Sequence, residues 1–270
     1  MAAQSPSNGR TPVVFVHGLW MHPSSWQPWI ELFRAAGYAP VAPEWPGDSP
    51  SVAEARAHPE RLAGVGIDAI TQQYAKTIRN LNTKPIVIGH SFGGLIAQKL
   101  LGMGLASAAI AIDPAQMRGV LPLPLAQLQS GFPVLGNPFN YSRSVMLTPK
   151  QFHAGFANAV SEKESNDLRE RYAIPGPGRP LFEAAFANIL PNTAARVNVN
   201  ADRGPLLIIG GGKDRTVPEV VTRAAHNLYR KAKTVNDYKV FPDRGHSLVI
   251  DSGWKEVANT SLAWLKEKGL

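Results

Sequence analysis

The chain of 270 residues, with 44% hydrophobic side chains and no cysteine, is long enough for a sizeable core and lacks disulfides, thiolate metal sites and a cysteine nucleophile. Its formal net charge of +8 comes from scattered lysine and arginine residues, so we expect a plain basic surface and no nucleic-acid partner. No apolar stretch reaches the roughly 18 residues that a membrane-spanning helix needs, so we expect no membrane partner either.

The first part of the chain alternates apolar runs with helical patterns, which is typical of a mostly parallel sheet covered by helices on both faces. The apolar runs predict strands at Pro12–Val16, 38–42, 85–89 and Ala108–Ile112. Apolar residues at helical spacing predict helices at 26–36, 66–81 and Phe92–Gly102.

Proline and glycine become frequent between residues 114 and 203, and the periodic pattern weakens there. Only two short helices are predicted in this stretch, at 149–159 and 181–189. The alternation then returns, with strands predicted at 205–209 and 238–241 and helices at 218–229 and 254–268. We interpret residues 1–113 and 204–270 as one core and residues 114–203 as a cap inserted into it.

The strongest local signal is GHSFGG at residues 89–94, which matches the G-x-S-x-G nucleophile elbow. An apolar strand runs into the motif and a helical pattern runs out of it, as an elbow requires. Side chains at Gly89 and Gly93 would collide with the neighbouring strand and helix, and the strained turn exposes the Ser91 hydroxyl. Ser91 is therefore the candidate nucleophile, and the alternative is a chance glycine-rich loop.

The segments VFVHGLW, IGHSFGG, GGGKD and RGHS follow one another between Val14 and Ser247, and in them the chain resembles the α/β-hydrolase family. The resemblance implies a three-layer α/β fold and a serine hydrolase that needs no metal or organic cofactor. The family's sheet commonly has eight strands. Only about ten residues precede Pro12, too few for the usual first hairpin, so we expect about six strands, largely parallel.

The resemblance assigns His246, in the DRGHS segment after the last strand, as the base that activates Ser91. It assigns Asp214, after the strand at 205–209, as the acid that orients His246. Asp113 remains the alternative acid, since a minority of the family uses that strand end; otherwise we interpret it as a turn residue before Pro114.

By the same resemblance the oxyanion hole consists of the backbone amides of Leu19 and Phe92. His17 is interpreted as a structural residue that fixes the loop of Leu19 through hydrogen bonds. His90, beside the nucleophile, is expected to be buried with its side chain pointing away from the site.

Four residues in loops expected to converge near Ser91 are predicted to line the pocket: Trp20, Trp45, Met117 and Val217. Such a lining would suit a small-molecule substrate with an apolar acyl or aryl group. The alternative for these residues is ordinary packing beneath the cap.

We expect acyl transfer, with an ester or lactone cleaved through an acyl-enzyme. The alternatives are a C–C bond hydrolase, a haloperoxidase-like perhydrolase with the same triad, and a non-catalytic ligand receptor. Ser91 argues against epoxide hydrolases and dehalogenases, which use aspartate at the elbow. The polar N-terminal residues 1–12 lack the apolar segment of a secretory signal, so we expect a cytoplasmic protein, with secretion open if a signal peptide was removed.

Overall fold

The computed structural model describes residues 9–270, and its centre is a six-stranded sheet in which every neighbouring pair is parallel. Residues 1–8, which hold most of the polar N-terminal stretch, lie outside the described residues. The strands are β1 (Pro12–Val16), β2 (Ala39–Val41), β3 (Ile86–His90), β4 (Ala108–Ile112), β5 (Ser144–Val145), β6 (Gly176–Pro177), β7 (Leu206–Gly211) and β8 (Asn236–Phe241). The sheet order is β2-β1-β3-β4-β7-β8, and β5 and β6 form a separate antiparallel pair. The predicted six-stranded, largely parallel sheet is confirmed.

Helices connect the strands and cover the sheet. The α-helices are α1 (Gln27–Ala35), α2 (Val52–Ala57), α3 (Ile67–Arg79), α4 (Phe92–Gly102), α5 (Leu125–Leu135), α6 (Pro149–Gln151), α7 (Glu162–Tyr172), α8 (Arg179–Ala185), α9 (Glu219–Asn227) and α10 (Trp254–Glu267). The helix predicted at 149–159 is one α-helical turn followed by a π-helix at Phe152–Phe156, and α2, α5 and α7 were not predicted. Within residues 9–270 no helix combines the length and apolar character needed to cross a membrane.

The central strands are apolar because both of their faces are covered. Every residue of β1, β3, β4 and β7 is buried, whereas the edge strand β8 is mostly half-buried. Phe15 of β1 packs against Trp26, Trp29 and Phe33 with ring centroids 4.8, 6.1 and 5.3 Å away, which attaches α1 to the sheet. The strands therefore form a rigid platform.

The carboxyl ends of all six strands lie at one edge of the sheet because the strands are parallel. Leu19 follows β1, Ser91 follows β3, Asp113 follows β4, Asp214 follows β7 and His246 follows β8. The chain places β2 on one side of β1 and β3 on the other, so the strand order reverses between β1 and β3. Open α/β sheets form their ligand crevice at such a reversal, here between Leu19 and Ser91.

Candidate active site

Ser91 occupies the turn between β3 and α4 with φ of +56° and ψ of −120°, a backbone conformation that residues other than glycine seldom adopt. A Cβ on Gly89 would collide with the carbonyl oxygen of Gly93, and a Cβ on Gly93 would collide with that of Val16. The Ser91 amide donates to the carbonyl of Ile112 at 2.9 Å, which fixes the turn against β4. The turn has the geometry that the GHSFGG motif predicts.

His246 and Asp214 form a buried pair at the same edge of the sheet. His246 Nδ1 lies 2.6 Å from Asp214 Oδ2, and Asp214 Oδ1 accepts hydrogen bonds from the amides of Thr216 at 2.7 Å and Val217 at 2.8 Å. Within the described part of the chain His246 Nε2 has no hydrogen-bond partner, not even Ser91. Bonds between a nucleophile and its base often tighten only with substrate present.

Burial sets the protonation of this pair. It lowers the pKa of His246 to about 3, so the ring is neutral at neutral pH, with a proton on Nδ1 and a lone pair on Nε2. Burial raises the pKa of Asp214 to about 7, although the amides of Val217 and Thr216 lower it. Above about pH 7 the pair can therefore combine a neutral imidazole with a carboxylate.

His90 is buried as predicted, but the expectation that its side chain points away from the site is wrong. Its ring centroid lies 4.5 Å from that of His246 and 5.9 Å from that of Phe156. His90 is the last residue of β3, so its side chain leaves the sheet at the edge where the His246 loop lies. Burial, followed by the proximity of His246, lowers the pKa of His90 well below its ordinary value, so this ring is neutral as well.

Asp113 has φ of +40°, as at a turn, but its carboxyl group is fully buried beside the candidate pair. Asp113 Oδ1 accepts a hydrogen bond of 2.7 Å from the amide of Gly211, and the carbonyl of Gly211 accepts one of 3.2 Å from the amide of Asp214, so Gly211 links the two aspartates. Asp113 thus occupies the turn predicted before Pro114, and its buried carboxyl group belongs in addition to the polar cluster at this sheet edge. The structure brings Asp214 to His246 Nδ1 at 2.6 Å and places a carboxyl oxygen of Asp113 within 4.8 Å of ring nitrogens of His246 and His90.

Two backbone amides near Ser91 are available for a ligand. Among the described residues neither Leu19 nor Phe92 donates its amide hydrogen to another group. A Cβ on Gly18 would lie 2.8 Å from Ser91 Cβ, so the loop of Leu19 lies directly against the Ser91 turn. Phe92 is the first residue of α4, where the helix dipole favours negative charge.

The loop of Leu19 is fixed from the sheet side by His17. Its ring nitrogens lie 3.0 Å from Gly18 O and 3.0 Å from Asp48 Oδ2, in agreement with the structural role predicted for it. Trp45 stacks on His17 with centroids 4.5 Å apart, and its amide donates to Asp48 Oδ2 at 2.6 Å. Trp45 therefore packs against His17 and helps to hold this loop. It does not line the cavity beside Ser91, so the prediction that it is a pocket residue was wrong.

The segment 114–203, which lies between β4 and β7, fixes the same loop from the other side. Trp20 Nε1 donates to Val145 O at 3.1 Å, and Trp20 O accepts from the amide of Ile174 at 2.9 Å. Met21 and Ala173 form an antiparallel bridge next to these bonds. Trp20 is held at φ of +65° between these contacts.

Ser91 and Phe92 lie in the wall of a cavity of about 70 Å³, which has room for several water molecules. Of the four predicted lining residues, Trp20 and Val217 lie there, whereas Met117 does not. Most of the remaining wall is apolar and comes from helices of the segment 114–203: Leu128, Gly131 and Leu135 of α5, and Leu181 and Ala184 of α8. Sequence reasoning missed these residues, although Leu, Phe and Ala are frequent in the segment.

A sequence model described as the alpha/beta hydrolase family matches residues 13–260. No curated protein matches the chain. The structure is similar to a monoacylglycerol lipase from Paleococcus ferrophilus, with 23% identity, coverage of 98% of this chain and 96% of that chain, and a TM-score of 0.69. It is also similar to a methylesterase from Arabidopsis, with 17% identity, coverage of 95% and 99%, and a TM-score of 0.65.

A putative non-heme bromoperoxidase from Mycobacterium tuberculosis has 21% identity, coverage of 97% of this chain and 94% of that chain, and a TM-score of 0.65. At these identities the likeness to solved structures shows the fold alone. The chemistry must therefore be argued from the side chains around Ser91.

Proposed function

This chain belongs to the alpha/beta hydrolase family, and we propose that it is a serine hydrolase that cleaves a carboxylic ester or lactone through an acyl-enzyme. One observation carries the proposal: the buried Asp214–His246 pair, 2.6 Å between Nδ1 and Oδ2, lies at the sheet edge where Ser91 occupies its strained turn. A serine hydroxyl needs a base with this orientation to become nucleophilic at neutral pH.

In the proposed reaction Ser91 Oγ attacks the substrate carbonyl carbon while His246 Nε2 takes the hydroxyl proton. Asp214 holds the ring in the Nδ1–H tautomer and stabilises the imidazolium that forms. The amides of Leu19 and Phe92 donate to the oxyanion, and removing one such donor costs about 3–4 kcal/mol in a comparable site.

His246 then gives its proton to the leaving alkoxide, and the acyl group remains on Ser91. Water activated by His246 attacks the acyl-enzyme, and the acid is released with Ser91 restored. His246 is 0% exposed, so this water must arrive through the cavity beside Ser91. The scheme asks for no metal or organic cofactor.

The cavity wall supports a substrate with an apolar acyl or aryl group. Leu128, Leu135 and Leu181 face it, and Leu128 and Leu123 continue from the wall to the protein surface. In this proposal the segment 114–203 is a cap that shapes the apolar part of the pocket, while the sheet supplies the reacting groups.

The test is hydrolysis of p-nitrophenyl acetate and butyrate by the wild type and by Ser91→Ala, with fluorophosphonate labelling in parallel. We expect wild-type turnover, a loss of more than about 1000-fold in Ser91→Ala, and labelling only when Ser91 is present. Labelling without turnover would support Ser91 as the nucleophile and indicate that the substrate is a different carbonyl compound. If neither occurs, the enzyme proposal fails and a non-catalytic receptor becomes the better account.

A further inference from the structure

Two carboxyl groups share one buried site at the ends of the neighbouring strands β4 and β7. Asp113 is 0% exposed and Asp214 is 5% exposed. The cations of the adjacent loops are engaged elsewhere, because Lys213 pairs with Asp243 at 3.0 Å and Arg244 pairs with Asp251. Two negative charges without a cation would be strongly unfavourable at this depth, so the site favours a single charge.

The hydrogen-bond donors around the two groups decide which one carries the charge. Asp214 receives three donors, namely the amides of Thr216 and Val217 and, at 2.6 Å, His246 Nδ1. Asp113 receives one, the Gly211 amide on Oδ1. Each donor stabilises the ionised form, so the negative charge belongs on Asp214.

The second oxygen of Asp113 points to the same conclusion. Within residues 9–270, Asp113 Oδ2 is buried and makes no hydrogen bond, and a ring nitrogen of His90 and one of His246 lie within 4.8 Å of a carboxyl oxygen of Asp113. Its neighbour is the Asp214 carboxyl, which can only accept when it is ionised. A buried polar atom beside an acceptor is satisfied when it carries a proton and donates it.

We infer that Asp113 is a positioning residue, a neutral carboxylic acid whose O–H donates to the Asp214 carboxylate and holds it toward His246. The hydrogen bond adds a fourth donor to Asp214 and leaves one negative charge in the pair. Burial, followed by the charge of Asp214, raises the pKa of Asp113 well above its ordinary value, in agreement with the neutral form. The catalytic consequence rests on the proposed serine hydrolase, but the protonation of Asp113 does not.

The first experiment compares kcat/KM for Asp113→Asn, Asp113→Ala and Asp214→Asn on the same p-nitrophenyl ester. Asparagine can donate through its amide to Asp214 and accept from Gly211, so we expect it to keep activity within about tenfold. Asp113→Ala loses the donor and is expected to fall roughly 10- to 100-fold, the range for a charge that loses one hydrogen bond. Asp214→Asn is expected to fall by about 10,000-fold.

If Asp113→Asn lowers kcat/KM as much as Asp214→Asn does, or more, Asp113 is the ionised partner of His246 and the inference is overturned. Equal losses in Asp113→Asn and Asp113→Ala would also overturn it, because a donor that matters must be rescued by asparagine. Thermal unfolding of each variant separates a loss of folding from a loss of positioning.

A second measurement does not depend on turnover. Carbon-13 NMR of the aspartate carboxyl groups, assigned with Asp113→Asn, should show the Asp113 signal in its protonated position at pH 7. The low-field proton signal of His246 Nδ1–H should remain in Asp113→Asn and disappear in Asp214→Asn. An Asp113 carboxyl that ionises near its ordinary pKa of about 3.9 refutes the inference. If no ester is hydrolysed, the proposed function fails, and this titration still decides the state of Asp113.

Discussion

The ring of Phe156 lies edge-on to the imidazole of His246, with ring centroids 4.9 Å apart and ring planes at 88°. Phe156 lies on the π-helix Phe152–Phe156, a rare helix form that is frequent at functional sites. Because this helix belongs to the segment 114–203, the burial of His246 depends on residues outside the sheet. That burial is what lowers the pKa of His246 to about 3.

Replacing Phe156 by leucine should therefore raise the pKa of His246 toward its ordinary value of about 6.5, because a smaller side chain admits water beside the ring. The measurement is a proton NMR titration of the imidazole signals. Phe152→Leu is the matched control, since Phe152 is equally buried and stacks on Phe156 with centroids 4.9 Å apart. An equal shift in both variants, or no shift in either, would contradict the assigned contact.

The pH dependence of ester hydrolysis should follow Asp214. Burial raises its pKa from 3.8 to about 7, and the working form is the carboxylate, so kcat/KM should fall as the pH drops through about 7. This fall of kcat/KM on the acidic side reports the coupled titration of Asp113, Asp214 and His246 rather than that of one residue. The profile is measured between pH 5 and 9, with circular dichroism as a check on folding. A plateau that extends down to pH 5 would refute this assignment.

Replacing Ser91 should separate strain from activity. Ser91→Ala and Ser91→Gly both remove the nucleophile, but only glycine adopts φ of +56° without steric strain. We expect Ser91→Gly to unfold at a higher denaturant concentration than Ser91→Ala, with a free energy of unfolding about 1 kcal/mol larger. Equal midpoints for the two inactive variants would show that the turn stores no strain.

The apolar wall of the cavity should set the preferred acyl length. Leu181→Ala removes a side chain that lines the cavity, so longer p-nitrophenyl esters should gain kcat/KM relative to the acetate. Ile189→Ala serves as the control, because Ile189 lies nearby in the same segment but is 73% exposed and does not line the cavity. If both variants keep the wild-type preference, the acyl chain does not lie against α8.

The indole hydrogen bond of Trp20 should support the loop of Leu19, whose amide is proposed to donate to the oxyanion. Trp20→Phe removes the 3.1 Å bond from Nε1 to Val145 O while keeping an aromatic ring in the wall. We expect kcat to fall by roughly three- to tenfold with little change in KM, since one neutral hydrogen bond is worth about 1 kcal/mol. Trp264→Phe loses a comparable bond of 2.7 Å to Asp237 far along the chain and should keep wild-type kcat.

Features carried by a local pattern could be predicted from the sequence. The four central strands are apolar runs, and the Ser91 turn needs glycine at 89 and 93. The resemblance to the family assigns Asp214 and His246 in the loops after the last two strands, and the parallel sheet brings both loops to one edge. In each case neighbouring residues along the chain hold the information.

Features that depend on tertiary packing could not be predicted in this way. Helix α5 contains Gly131 and Pro133, which disfavour a helix locally, and it forms because Gly131 and Val134 are buried against the rest of the fold. Trp45 and Met117 are buried in loops in the same way as Trp20 and Val217, and only tertiary packing decides which of the four reach the cavity. Asp113 and Asp214 meet because β7 pairs with β4 in the sheet. The sequence alone does not predict which strand lies beside β4.

The hydrogen bonds between Trp20 and residues 145 and 174 have a consequence for protein engineering. Segments such as 114–203 look exchangeable, since they begin and end at neighbouring strands. A chimera that received a foreign segment here would lose the hydrogen-bond partners that hold the loop of Leu19 and Trp20. An exchange of the segment 114–203 must therefore also replace residues 20–22, so that they still match their contacts at 145 and 172–174.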